Sequence, residues 1–210
     1  MMKKILGEIV TFGSYMQDEG MTAKTPIEWV VMEANDSKML LFSRKVLDCK
    51  PFHDKVLEPA TWEKSSLRAW LNNEFYNTAF DSDEKAMICP TKLVTQANMK
   101  YGIDSGLDTV DKVFVPSVED MVSTDFGFVD VPKRADENRI CRPTEYAVAQ
   151  GVKVREDGCD YWLRTTGYMM TKAVNVTFYG GVLLCGWDKD MDCFGVRPAI
   201  RINTEAIVSY

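Results

Sequence analysis

The chain has 210 residues, 46% of them hydrophobic and 27% charged, and carries a formal net charge of −6. That length and composition fit a single folded domain over 1–210, with 10 Phe, 8 Tyr and 5 Trp to fill a core. The negative balance, with no run of Lys and Arg, excludes nucleic acid and an anionic membrane as main partners, because both require a basic face.

At the start, Met1-Met2-Lys3-Lys4-Ile5-Leu6 opens like a secretory signal, but Gly7-Glu8 interrupts it before the roughly 7–15 apolar residues of an h-region. No stretch approaches the ~20 apolar residues that cross a bilayer. The expectation is a cytoplasmic chain that is neither exported by that route nor anchored. Residues 27–32 and 39–42 are short apolar, β-branched runs around the turn Asn35-Asp36-Ser37, which predicts a β-hairpin. The period then changes. After Ser65 or Ser66, a capping residue, Leu67, Trp70, Leu71 and Phe75 fall three and four apart, as on one face of a helix. Further short helices are expected from Asp81-Ser82, from the capping-box spacing at Ser117-Val118-Glu119-Asp120, and between Pro143-Thr144 and Gly151. A strand over 112–115 precedes the helix expected from Ser117.

Beyond Cys159 the pattern is strand and turn. Residues 161–164, 173–178, 181–184 and 196–200 read as strands, with a hairpin turn at Tyr179-Gly180-Gly181. Segments 98–111 and 124–139 read as long loops, which in a compact domain usually carry function or move. Helices in the first half and strands in the second define an α+β domain of mixed or antiparallel sheets. There is no βαβ alternation and no glycine-rich phosphate loop.

Certain strings occur in a fixed order: Phe12-Gly13-Ser14-Tyr15, Pro26-Ile27-Glu28-Trp29, Thr61-Trp62-Glu63, Leu67-Arg68-Ala69-Trp70-Leu71-Asn72, and Asp111-Lys112-Val113-Phe114. Arg142-Pro143-Thr144-Glu145-Tyr146-Ala147, Tyr161-Trp162-Leu163-Arg164 and Gly195-Val196-Arg197-Pro198-Ala199 complete the series. Together they resemble a bacterial family of domains of unknown function that is similar to C-type-lectin-like modules. They also look like the ligand-binding ends of variable proteins diversified by retroelements. The resemblance implies a C-type-lectin-like fold with paired chain ends, here residues 5–11 against 196–203. It also implies a ligand surface in the loop-rich region between Arg164 and Val196. The sequence departs from the family pattern at Tyr161, where a second Trp is common, and at Thr165-Thr166-Gly167, where Ser-Pro-Gly is common.

Six cysteines, at 49, 89, 141, 159, 185 and 193, show no CxxC spacing and are read mostly as buried thiols. Cys185 and Cys193 bracket an acidic turn and are the one pair considered for a disulfide. Asp188, Asp190 and Asp192 alternate like the opening of a calcium loop, but the glycine expected next is Cys193 and the later acid falls on Ala199. A solvated turn is the preferred reading, and no metal or cofactor is expected. Asp48, Cys49 and His53 are the raw material of a cysteine nucleophile, yet sequence proximity alone assigns no catalytic residue. Arg68, Arg164 and Arg197 lie in apolar sequence. They are read as buried guanidiniums paired with a carboxylate such as Glu28, in preference to anion binding. For Arg164 and Arg197 the expectation is burial against an acidic side chain or several carbonyls.

The function expected is a non-catalytic binding module for a protein or surface ligand. Its face would comprise Tyr168, Met169, Asn175, Tyr179, Trp187, Asp188 and Asp190, because aromatics mixed with small polar residues make adaptable contact surfaces. The alternatives are an enzyme with a loop-built site and a structural domain of a phage or larger assembly.

Overall fold

Alternating apolar residues set up the first strands, and near-continuous apolar runs set up the buried ones. In the computed structural model, which describes residues 6–20 and 22–204, the N-terminal strands are β1 (Ile9–Met16), β2 (Lys24–Ala34), β3 (Lys38–Ser43) and β4 (Asp48–Cys49). Next come β5 (Thr91–Leu93), β6 (Thr109–Asp111), β7 (Val113–Phe114), β8 (Val154–Arg155) and β9 (Gly158–Cys159). The last are β10 (Tyr161–Thr166), β11 (Lys172–Val176), β12 (Val182–Asp188), β13 (Gly195–Val196) and β14 (Ala199–Asn203). One five-stranded sheet has the order β1-β2-β3-β14-β7 and the other β12-β11-β10-β13-β4. Every pairing in them is antiparallel except β10 with β13. Two-stranded ribbons β5–β6 and β8–β9 lie beside them.

The helices start where the capping residues stand. Ser65 accepts the Arg68 N–H at the head of α1 (Ser66–Trp70), and Asp81 and Glu84 close a reciprocal capping box on α3 (Ser82–Met87). Ser117 and Asp120 do the same for α4 (Val118–Met121), and Thr144 caps α5 (Glu145–Ala149). Between α1 and α2 (Tyr76–Ala79) the helix widens to a π segment over Leu71–Phe75. Leu67, Leu71 and Phe75 are buried as their spacing predicts. Arg68 and Asn72 leave the opposite flank and bind the chain around β6 and β7. The Arg68 Nε meets Asp111 Oδ1 at 2.7 Å, and the Asn72 amide donates to the Val113 carbonyl and accepts from the Lys112 N–H, each at 2.8 Å. Asp111 also accepts from the Trp62 indole at 2.9 Å and the Thr109 hydroxyl at 2.7 Å, so two motifs of the series are held by one buried carboxylate. Phe52 joins the helical layer to the second sheet, with its ring 6.1 Å from both Trp62 and Trp162.

Three expectations are corrected here. The two end strands among the described residues share a sheet but do not pair: β1 pairs with β2, while β14 lies between β3 and β7. Ile5 of the expected segment lies outside the described residues. The reason is visible in β3, where Met39, Leu40, Leu41 and Phe42 are all buried. Such a strand is covered on both faces and lies inside the sheet between β2 and β14, whereas β1, with Ile9 exposed, takes the outer position. The single strand expected over 196–200 is two, with β13 in the second sheet and β14 in the first. Pro198 stands at the crossing and has no N–H for a ladder. Finally, the strand expected over 112–115 shortens to β7.

Candidate functional site

The loop between β5 and β6 is fixed to the second sheet chiefly by Asn98, and the Ser105 hydroxyl adds a bond by accepting from the Thr166 N–H at 3.1 Å. Asn98, buried, donates to the Thr166 and Leu184 carbonyls at 2.8 and 2.9 Å and accepts from the Lys100 and Tyr101 N–H groups at 3.1 and 3.2 Å. All four of its bonding positions are thereby used. The exposed Tyr101 ring is set 6.1 Å from that of Tyr168, which is also exposed, in the turn between β10 and β11. An ammonium flanks each ring: Lys100 lies 4.7 Å from the Tyr101 centroid and Lys172 5.7 Å from that of Tyr168. Lys172 also donates to Asp188 at 2.7 Å across the β11–β12 pair. Met169 is exposed beside Tyr168.

Trp187 projects at the end of β12, 45% exposed. The register slips between Ala173 and Asn175, and Gly186 permits the bulge. It sits at φ +70°, and a Cβ there would lie 2.2 Å from the Ala173 carbonyl oxygen. Strand alternation sends Trp187 to the face opposite Asp188. There it lines a shallow depression of about 100 Å³ with Arg155, Asp160, Met191 and Phe194. Asp190 is half-buried in the following turn.

Five of the expected residues thus gather at one end of the second sheet: Tyr168, Met169, Trp187, Asp188 and Asp190. Two do not. Asn175 is fully buried, because β11 is an inner strand covered on both faces, and its Oδ1 has no hydrogen-bond partner. Tyr179 is exposed, but in the turn at the far end of the β11–β12 hairpin, roughly 15 Å away along the strands. Tyr101 was missed. Its only signal was its position in the Gly- and Asp-rich segment read as a long loop.

Lys189, between the two aspartates, was missed as well. Its side chain is buried, with the ammonium 5.2 Å from the Phe52 ring, donating to the Met170 carbonyl at 2.7 Å and to the carbonyl of Ala60. Burial pushes its pKa down to about 8. The His53 N–H donates to the Lys189 carbonyl and the Lys189 N–H to that of Thr171, at 2.9 and 3.0 Å. The turn carrying Tyr168 and Met169 is therefore nailed to the segment after β4.

The residues that raised the cysteine-nucleophile reading are engaged elsewhere. The Cys49 thiol donates to the Asp192 carbonyl at 3.1 Å and is pushed up to about 12 by burial and by Asp48. Asp48 accepts from the Tyr15 hydroxyl at 2.6 Å and the Cys49 N–H at 2.7 Å. His53 Nδ1 accepts from the Ser66 N–H at 3.3 Å, and its buried Nε2 has no hydrogen-bond partner. No nucleophile–base hydrogen bond joins Cys49 and His53 among the described residues. All six cysteines are free, Cys185 and Cys193 included, and only Cys49, Cys141 and Cys159 are fully buried. Among the described residues no group of three or more His, Cys, Asp or Glu is placed to hold a metal ion. None of their helices is long and apolar enough to cross a membrane.

The guanidiniums divide. Arg68 pairs with Asp111, not Glu28, which instead meets Arg44 at 2.9 Å. Arg164 is buried and meets Asp120 at 2.6 Å, as expected. Arg197 is also buried, but it holds only the Ser43 carbonyl at 3.0 Å and the Tyr161 hydroxyl at 3.1 Å. Among the described residues it has neither the acidic partner nor the set of carbonyls expected for it.

What these elements define is an α+β domain of two largely antiparallel sheets and short capped helices, with an exposed aromatic cluster at one end of the second sheet. Residues 36–204 match the family described as domain of unknown function DUF6273, and the chain belongs to that family. No curated protein and no solved structure matches it.

Proposed function

We propose that the chain is a binding module of C-type-lectin-like type, which recognises a protein or surface ligand through the end of the second sheet that carries Tyr101, Tyr168, Met169, Trp187 and Asp188. The observation that carries this reading is the Tyr101–Tyr168 pair: two exposed rings 6.1 Å apart on loops whose backbone is fixed from beneath by Asn98 and Lys189. Large aromatics presented rigidly supply contact area with little ordering entropy left to lose on binding. Lysines and Asp188 around them add hydrogen-bonding and charged groups at the rim. The order of the sequence motifs supports the C-type-lectin-like character, and the free cysteines fit a cytoplasmic setting.

The test begins with crosslinking and capture from the source cells to identify the partner, followed by affinity measurement with purified components. Tyr101→Ala and Tyr168→Ala are each expected to weaken binding by about 2 kcal/mol. Tyr179→Ala, at the far end of the hairpin, leaves it unchanged. Equal affinity for all three variants and the wild type overturns the reading.

A further inference from the structure

Three arginines of this chain are buried, and two of them have a carboxylate: Arg139 with Asp136 and Arg164 with Asp120. Arg197 is the exception. It is 4% exposed and forms no ion pair among the described residues. Its Nε is bound to the Ser43 carbonyl and one Nη to the Tyr161 hydroxyl, which leaves the other Nη without a hydrogen-bond partner among those residues. A guanidinium carries five N–H donors in a fixed fork. Desolvating it without a counter-charge is costly unless something else supplies the acceptors.

Arg197 does not face solid protein. It lines a cleft of about 1030 Å³ between β2 and the 126–142 segment. The same cleft is lined by Arg44, Lys45 and Arg142. Arg44 and Arg142 hold Glu28 and Asp157 at 2.9 and 3.2 Å, as exposed rim pairs. Such pairs exchange partners at small cost. Lys45 has no ion pair among the described residues. The lining thus sets four cations against three carboxylates, Glu28, Glu137 and Asp157, in a chain whose total charge is −6. Phe126, Phe128 and Ile140 supply apolar wall. A concave site of this size, in which charged groups face an apolar wall, has room for a small molecule with a charged head and an apolar body.

We infer that the cleft over Arg197 is a binding site for a small organic oxyanion, whose carboxylate or phosphate head is taken by the free edge of the Arg197 guanidinium and whose apolar body lies against Phe126, Phe128 and Ile140. The site is separate from the Tyr101–Tyr168 surface and stands whether or not that surface binds a partner. Arginine suits this task because its fork meets two oxygens of one head group at once. Lys45 and Arg142 draw the anion in from the rim.

Isothermal titration calorimetry of the full chain with benzoate, phenyl phosphate, inorganic phosphate and the neutral benzyl alcohol tests the assignment. Saturable 1:1 binding of benzoate or phenyl phosphate is expected, with amide shifts at residues 126–128 in NMR spectra, and none for benzyl alcohol. Which of the two aromatic anions binds distinguishes the carboxylate source from the phosphate source, and the inorganic phosphate arm measures the head group alone. Arg197→Lys keeps the charge and loses the fork, and is expected to weaken binding at least roughly tenfold. The double variant Lys45→Ala/Arg142→Ala touches only exposed rim residues and decides the matter if Arg197→Lys does not fold. It is expected to weaken binding severalfold with the far-ultraviolet spectrum unchanged. Absence of saturable anion binding by the wild type, equal binding of benzyl alcohol, or rim-variant affinity equal to wild type overturns the inference.

Discussion

A buried ionisable side chain shows its surroundings through its titration, and Lys189 is the sharpest case. Its pKa is pushed from 10.5 down to about 8 by burial, so between about pH 8 and 10.5 the unfolded chain binds more protons at this position than the folded one. Stability contributed through Lys189 therefore rises with pH across that window, and the cost of burying the ammonium is present in full below it. Urea unfolding of wild type and Lys189→Met at pH 7.5 and 9.5 is expected to show the difference moving in favour of the wild type by about 2 kcal/mol at the higher pH. A difference independent of pH means that the ammonium is solvated in the native state. The thiols give a second measurement at this scale. Cys49 is pushed up to about 12, and burial raises Cys141 and Cys159 as well, whereas Cys89, Cys185 and Cys193 are half-buried. A thiol reagent at pH 8 is expected to label the last three in the native protein and the first three only on unfolding, since the thiolate is the reactive form. Prompt labelling of Cys49 contradicts its placement against the Asp192 carbonyl.

Among the elements, the widened helix from Ser66 to Ala79 depends on Asp111 more than on its own length. That carboxylate accepts from Arg68, Trp62 and Thr109 at once, so Asp111→Ala leaves a guanidinium and an indole N–H unanswered and is expected to cost about 3 kcal/mol. Asp111→Asn, which keeps an acceptor, is expected to cost distinctly less in the same denaturant titration; equal losses mean that the carboxylate charge, and not an acceptor alone, holds Arg68. The sequence made these elements readable wherever a local rule operates. Ser65, Asp81, Ser117 and Thr144 mark helix starts because capping is a contact three residues long. Asn175 was misread because β11 is covered on both faces, so neither strand parity exposes it, and Tyr179 stands apart because its turn lies at the opposite end of the hairpin from Trp187. Tyr101 and Lys189 were overlooked because their roles arise from contacts between separate chain segments, made among others by Asn98 and by the carbonyls of Ala60 and Met170. In the same way, no local feature separates Arg197 from Arg164. The difference is whether a distant carboxylate comes to meet it.

For the whole molecule, the deciding feature is the passage of residues 195–203 through both sheets, with β13 beside β4 and β10 and β14 beside β3 and β7. Neither sheet can lose this segment alone, so near-ultraviolet circular dichroism, tryptophan fluorescence and far-ultraviolet circular dichroism are expected to follow one coincident denaturant transition. Two separated transitions contradict that coupling. The feature also governs how the chain reaches its fold during synthesis. The ribosome delivers β3 about 160 residues before β14, and sequence separation of that order slows closure. For that interval Met39, Leu40, Leu41 and Phe42 form an apolar strand with one edge unpaired, open to pairing with another nascent chain. Among the described strands it is β14, residues 199–203, that covers this open edge of β3, so the exposed apolar strand is protected only once that segment has been made.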